Sequence, residues 1–160
     1  MPHTRTPRTA ATPAGQLAEA RLHQILGYQM AQATITTTAV FMKRVGEPFD
    51  LRPVEYTILT LVNENPGGSP ASLSKALAVT PPNITVWIDK LEQRGLVARE
   101  RSTTDRRAQH LRATLKGSQL AATATQALLE GEQDALASLT DGERAILVEL
   151  LHKVARARNA

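Results

Sequence analysis

The chain has 160 residues, 42% hydrophobic and 21% charged, with a formal net charge of +4. That is enough for one domain with a proper core and leaves little room for a second. Cysteine is absent, which excludes disulfides, thiolate nucleophiles and cysteine redox switches. His3, His23, His110 and His152 are scattered without an i, i+4 pair, so no metal site and no cofactor is expected. No run of about 18 apolar residues is available to span a membrane.

Met1–Pro13 holds three prolines, four threonines and two arginines, with no acid and no apolar core of a secretory signal. Residues 1–14 read as a disordered basic arm, and the cytoplasm is the default compartment. From Gly15 to about Val45 no proline interrupts the chain, and Leu22, Ile25, Leu26, Gln29, Ala33, Val40, Phe41 and Val45 follow an approximate helical stripe. The spacing predicts one helix of about 30 residues, weakened by Gly27 and by Thr34 and Thr36–Thr38, and ended by Gly46 and Pro48. A second helix starts near Pro53, with Val54, Ile58, Leu59 and Val62 on its apolar face, and stops in the turn Asn63–Gly68. Ser69 and Pro70 open a short third helix carrying Leu73, Ala76 and Leu77.

Consecutive Pro81 and Pro82 force extended backbone before them, so a fourth helix begins at or just after Pro82 and ends at Gly95. On a helical wheel Ile84, Ile88 and Leu91 share one side, with Trp87 at its edge, where packing and not base stacking is expected. The opposite side holds Pro82, Val86, Asp89 and Gln93, flanked by Asn83, Thr85 and Lys90, a mildly polar and nearly uncharged surface. Two short helices joined tightly outline a helix-turn-helix. Next, Leu96, Ala98 and Glu100 alternate with Val97, Arg99 and Arg101, and Leu111 and Ala113 flank Arg112, which predicts a hairpin with its tip at Ser102–Arg107. Between residues 98 and 112 five arginines face two acids, a local net charge of +3. Thr114 caps a fifth helix reaching about Ser138, and Thr140 with Glu143 forms a capping box for a sixth that carries Ile146, Leu147, Leu150, Leu151 and Val154. The fold class is mainly α with a small β-hairpin wing, a winged helix-turn-helix plus a helical lobe.

The stretch Leu91-Glu92-Gln93-Arg94-Gly95-Leu96-Val97, followed by Arg99, Arg101 and Asp105-Arg106-Arg107, resembles the signature of the MarR family, in which the recognition helix ends in Leu-Glu-x-x-Gly-Leu-Val and the wing carries Asp-x-Arg. Leu51–Leu59, Leu73–Val79, Thr85–Leu91, Thr114–Gly117 and Leu139–Leu151 are similar to other parts of that family in the same order, so the likeness spans residues 20–155. The resemblance implies a single domain over 15–160, with dimerisation helices at 15–46 and 114–158 and a winged lobe at 50–113. It implies a homodimer, without enzymatic activity, that binds double-stranded DNA at a pseudo-palindromic operator, the two recognition helices entering successive major grooves about one helical turn apart. The family's usual task is repression relieved by a small aromatic or phenolic anion.

On this reading the DNA-binding residues are Pro82, Asn83, Thr85, Val86, Lys90, Arg101, Asp105, Arg106 and Arg107. Asn83 suits adenine, the methyls of Thr85 and Val86 suit thymine, Lys90 suits a phosphate, and Arg107 suits a narrow minor groove, with Asp105 holding the tip. Val86 stands where a common family pattern has arginine, so a guanine contact is missing there. The basic arm is either a solvated tail or a further DNA contact. The lack of cysteine excludes the family's thiol-based peroxide sensors, and the few histidines argue against its zinc sensors. The resemblance implies an effector pocket where the first, second and fifth helices meet, with His23, Tyr28, Thr37, Phe41 and Tyr56 as candidates. Each has a plain structural alternative, including i−4 back-bonding for the threonines. A winged-helix module that docks proteins without reading DNA is the alternative function.

Overall fold

A computed structural model describes residues 10–101 and 109–159. The chain divides between Ala39 and Val40 into two compact units. The first opens with a tight reversal: Ala11 and Ala18 form an antiparallel bridge, and Glu19 N donates to Ala10 O at 2.8 Å. The reversal takes in residues 10–14, which the composition placed in the arm; residues 1–9 of that arm lie outside the described residues. One turn of 3-10 helix follows at Ala20–Gln24, Ile25 is extended (φ −85°, ψ 109°), and α1 (Leu26–Phe41) begins only then. The unbroken helix of about 30 residues expected from Gly15 is thus corrected at its start, because the absence of proline permits a helix without rewarding one. Glu19 rewards the break instead. Its buried carboxylate accepts from His23 Nδ1 (2.7 Å) before Ile25 and from Tyr28 OH (3.1 Å) after it.

In the second unit the helical path of α1 widens into a π turn at Met42–Gly46 and continues for one turn as α2 (Glu47–Phe49). Neither Gly46 nor Pro48 ends it, contrary to expectation. Pro48 stands on the continuing path directly after the π turn, where its missing N–H leaves a carbonyl of the preceding turn without that donor but does not stop the helix. The stop falls at Asp50, in the left-handed conformation (φ 49°). Helix α3 (Pro53–Glu64) buries Ile58, Leu59 and Val62, with Val54 packed at the edge. Ser69 Oγ caps α4 (Pro70–Leu77) by accepting from Ser72 N at 3.1 Å. Helix α5 (Pro81–Gln93) follows an extended Thr80 (φ −65°, ψ 144°). It starts one residue earlier than expected. The pre-proline restriction holds at Thr80 and yields at Pro81, and neither proline in this first turn removes an intrahelical hydrogen bond, because first-turn N–H groups have no partner there.

Strands β1 (Val97–Arg101) and β2 (Gln109–Ala113) pair antiparallel, Val97 opposite Ala113 and Arg99 opposite Leu111. Val97 and Leu111 are buried, so of the two alternating sets the one with Val97 and Arg99 turns inward, together with Leu111. Leu96 is buried as well, but it precedes the strand and closes the end of α5, its N–H on Leu91 O at 2.9 Å. Leu111 also pairs with Gly68, giving the hairpin a one-residue third strand. Thr114 Oγ1 caps α6 (Leu115–Ala135), which stops short of Ser138, and α7 (Asp141–Arg156) begins with the expected capping box between Thr140 and Glu143. One core joins Phe41, Val45, Ile58, Leu59, Ile84, Ile88, Leu91, Leu96, Leu111 and Ala124.

A close approach fixes the start of α6. A Cβ on Gly117 would lie 1.9 Å from Leu96 O, a carbonyl that already accepts from Thr114 N at 3.0 Å. Gly117→Ala is therefore expected to cost about 2–3 kcal/mol, seen as a fall of several degrees in the melting midpoint; an unchanged midpoint would mean that α6 slides freely along the strand. At α7 the Thr140 N–H and hydroxyl hold the Glu143 carboxyl below its ordinary value. The stability this supplies is present above the unfolded carboxylate value and is lost as pH falls through the folded one. Glu143→Gln should flatten the acid limb of the stability–pH curve, measured by urea titration between about pH 2 and pH 6.

Candidate nucleic-acid interface

The two faces of α5 differ sharply. Ile84 and Ile88 are fully buried, whereas Pro82, Asn83, Thr85 and Val86 are exposed, Val86 at 51%. Thr85 Oγ1 donates to Pro81 O at 3.1 Å, so its hydroxyl is engaged by its own helix and its methyl remains for a partner. Trp87 packs against the core as expected.

The charged residues of α5 are engaged by the protein itself. Arg99 of β1 donates through one terminal nitrogen to Asp89 Oδ1 and through the other to Glu92 Oε2 at 2.6 Å. Lys90 Nζ lies 3.9 Å from Oε1 of the buried Glu55, whose other oxygen accepts from Arg52 N at 3.0 Å. The expected Lys90–phosphate contact therefore faces an internal competitor, although the Lys90 side chain is half-exposed. Beyond the helix end, Arg94 donates to Phe49 O at 2.8 Å and to Asp50 O. In the hairpin Arg112 Nε pairs with Glu100 Oε1 at 3.0 Å. Two of the five arginines counted in the wing are thus matched by carboxylates. Arg101 stands in β1 opposite Gln109, while Asp105, Arg106 and Arg107 lie outside the described residues.

Spacing alone concealed these partners. Glu55 is a first-turn acid of α3, and Asp89 and Glu92 stand three apart on α5, which puts them on one face. Their common partner Arg99 becomes visible only once β1 is set beside that face. His110 Nδ1 within 2.7 Å of Gly67 O, beside the Gly68 bridge, is another contact that the turn chemistry of Asn63–Gly68 did not announce.

Of the effector candidates, His23 and Tyr28 are brought together by Glu19, a residue not singled out from the sequence. Burial and the Glu19 hydrogen bond push the Tyr28 phenol above its ordinary value. Thr34 Oγ1 donates to Met30 O at 2.8 Å, and Thr37 Oγ1 to Thr34 O at 3.3 Å, so the threonine run back-bonds to its own helix. In the second unit the Phe41 and Tyr56 rings stand 5.8 Å apart at 56°, and the Tyr56 hydroxyl shares a 2.8 Å hydrogen bond with Thr125. A cavity of about 340 Å³ opens between α3, α4 and β2, lined by Leu61, Val62, Leu73, Ala76 and Leu111 among others; none of the effector candidates lines it. Among the described residues no group of three metal-ligating side chains occurs, and no helix is long and apolar enough to cross a membrane.

Helix α4, a three-residue turn, helix α5 and a hairpin packed on its end make a winged helix-turn-helix, the class of a DNA-binding regulator. The MarR family profile matches residues 51–108. A protein of Thauera aromatica named as a transcriptional regulatory protein for the hcr operon is 33% identical over 131 residues, covering 82% of this chain and 79% of that one. The transcriptional repressor CouR, bound to a 23-mer DNA duplex, is 31% identical with a TM-score of 0.79, covering 87% of this chain and 98% of that one. The PcaV regulator of Streptomyces coelicolor, in complex with its natural ligand, shares the fold at 21% identity and a TM-score of 0.75, covering 89% of this chain and 99% of that one. The chain belongs to the MarR family: it is a DNA-binding transcriptional regulator and not an enzyme.

Proposed function

We propose that two copies of this chain form a repressor that grips a pseudo-palindromic operator, each copy presenting the exposed side of α5 to a major groove and its hairpin to the flanking backbone, and that a small aromatic or phenolic anion releases it. The observation that carries the reading is the division of α5 into a buried aliphatic face and an exposed face of Pro82, Asn83, Thr85 and Val86. Such a face offers methyl groups and one amide, which match thymine methyls and an adenine edge. Arg101, Arg106 and Arg107 supply phosphate and minor-groove contacts, with Asp105 bracing the tip, and Lys90 supplies a phosphate contact once it leaves Glu55. Repression is supported by CouR, a repressor above 30% identity. The protein-docking alternative loses its ground in a DNA-binding family.

Dimerisation is supported by α7. Ile146, Leu147, Val148, Leu150, Leu151 and Val154 are between 40% and 64% exposed, a continuous apolar surface that a monomer would leave in water. The effector reading rests on His23, Tyr28, Thr37, Phe41 and Tyr56, of which the two tyrosines and His23 offer donors to an anion. For His23 and Tyr28, such an anion competes with Glu19.

A random-pool selection for bound duplexes, followed by single-base substitution, tests the reading surface. Thymine and adenine positions in the half-site should dominate, and Val86→Ala should weaken binding about threefold to tenfold at a thymine position only. A guanine requirement that disappears in Val86→Ala would contradict this. Placing glutamates at Leu147 and Leu151 should turn a dimer into a monomer by light scattering and reduce operator affinity at least tenfold; an unchanged mass would remove α7 from the interface.

A further inference from the structure

We propose that Arg99 is a positioning residue for DNA binding: it neutralises and pins Asp89 and Glu92, so that the recognition helix approaches the duplex without two free carboxylates. The inference rests on α5 being the recognition helix. Asp89 and Glu92 stand on the half-exposed flank of α5, with side chains 43% and 39% exposed. Left unpaired, both would repel nearby phosphates. Arg99 reaches them from β1 with its two terminal nitrogens, one to each acid. Its own side chain is 25% exposed, less than either acid, and its Nε is buried without a partner. The guanidinium is therefore held inward, with its outer nitrogens occupied, a poor arrangement for a phosphate ligand and a good one for a clamp. The backbone places it there: Arg99 stands opposite Leu111, which is fully buried, so the strand register sets the Arg99 side chain on the face that packs against α5.

A lysine could not do the same work. A single ammonium has no planar fork to span two carboxylates one helical turn apart. The clamp has a mechanical side as well. It ties the helix that reads bases to the first strand of the wing, so the angle between them is set before DNA arrives.

The test uses four full-length proteins: wild type, Arg99→Met, Asp89→Asn with Glu92→Gln, and the triple variant. Each is titrated by fluorescence anisotropy against a duplex selected with the wild type, at several salt concentrations, and each is melted. Arg99→Met should bind at least tenfold more weakly, and the triple variant should recover to within about threefold of wild type with the same salt slope, because each phosphate contact contributes about 0.9 to that slope. A triple variant as weak as Arg99→Met, with a slope lower by about one, would overturn the proposal and make Arg99 a phosphate ligand. Unchanged binding by Arg99→Met would overturn it too. If Arg99→Met does not fold, the comparison of the triple variant with wild type decides alone. A wild-type chain that selects duplexes but whose affinity ignores substitutions at Asn83 and Val86 would instead remove α5 as the reading helix, an outcome distinct from failure of the clamp.

Discussion

Ile84, Ile88 and Leu91 enter one core with Leu96, Val97 and Leu111, and a buried side chain of this size gains on the order of 1.5–3 kcal/mol. That burial determines the rotation of α5 about its axis. Once the three aliphatic residues point inward, Asn83, Thr85 and Val86 must point outward, and the strand that follows Gly95 must begin at the foot of the same helix. Gly95 takes a left-handed φ of 67°, so the chain turns at once into Leu96. The α6 helix is bound into the same junction, because Thr114 N and Thr114 Oγ1 use the backbone oxygens of Leu96 and Gly95. The reading helix, the wing and the first turn of α6 thus share one small set of contacts.

Electrostatics is arranged around that core in a way that the formal charge hides. A net +4 over the chain suggests diffuse attraction for polyanions. In the structure many of the charges near α5 are internally matched: Arg99 with two acids, Arg112 with Glu100, Lys90 with Glu55. What faces outward on the helix is short, rigid and uncharged. A surface of this kind gains little from long-range steering and much from shape and methyl contacts, so in the proposed complex affinity comes from the wing and sequence preference from the helix.

The elements with strong local signals were legible in the sequence. Ser69–Pro70, Thr114 and the Thr140–Glu143 box each supply a side-chain acceptor to orphan N–H groups, and each caps the helix expected of it. The buried stripe of α5 was legible for the same reason, since an apolar face at helical spacing has one way to be buried. The start of α1 was not. Its break at Ile25 depends on Glu19 meeting both His23 and Tyr28, a tertiary arrangement that no helical stripe encodes. The alternation along β1 was legible, but not which set turns inward, because Leu96 and Val97 are both apolar and Leu96 is buried at the end of α5, ahead of the strand. In the candidate site the exposed residues of α5 could be named from a wheel. Their neighbours' ion pairs could not, because Asp89 and Arg99 are ten residues apart and meet only across the helix–strand corner.

In the proposed complex the outward side of α5 is the surface that meets the duplex. Hydrogen exchange of the backbone amides, with and without a selected duplex, tests it most directly. Asn83–Trp87 and β1 should exchange more slowly in the complex while the middle of α7 is unchanged. Slowing confined to other parts of the chain, with Asn83–Trp87 unaffected, would contradict it.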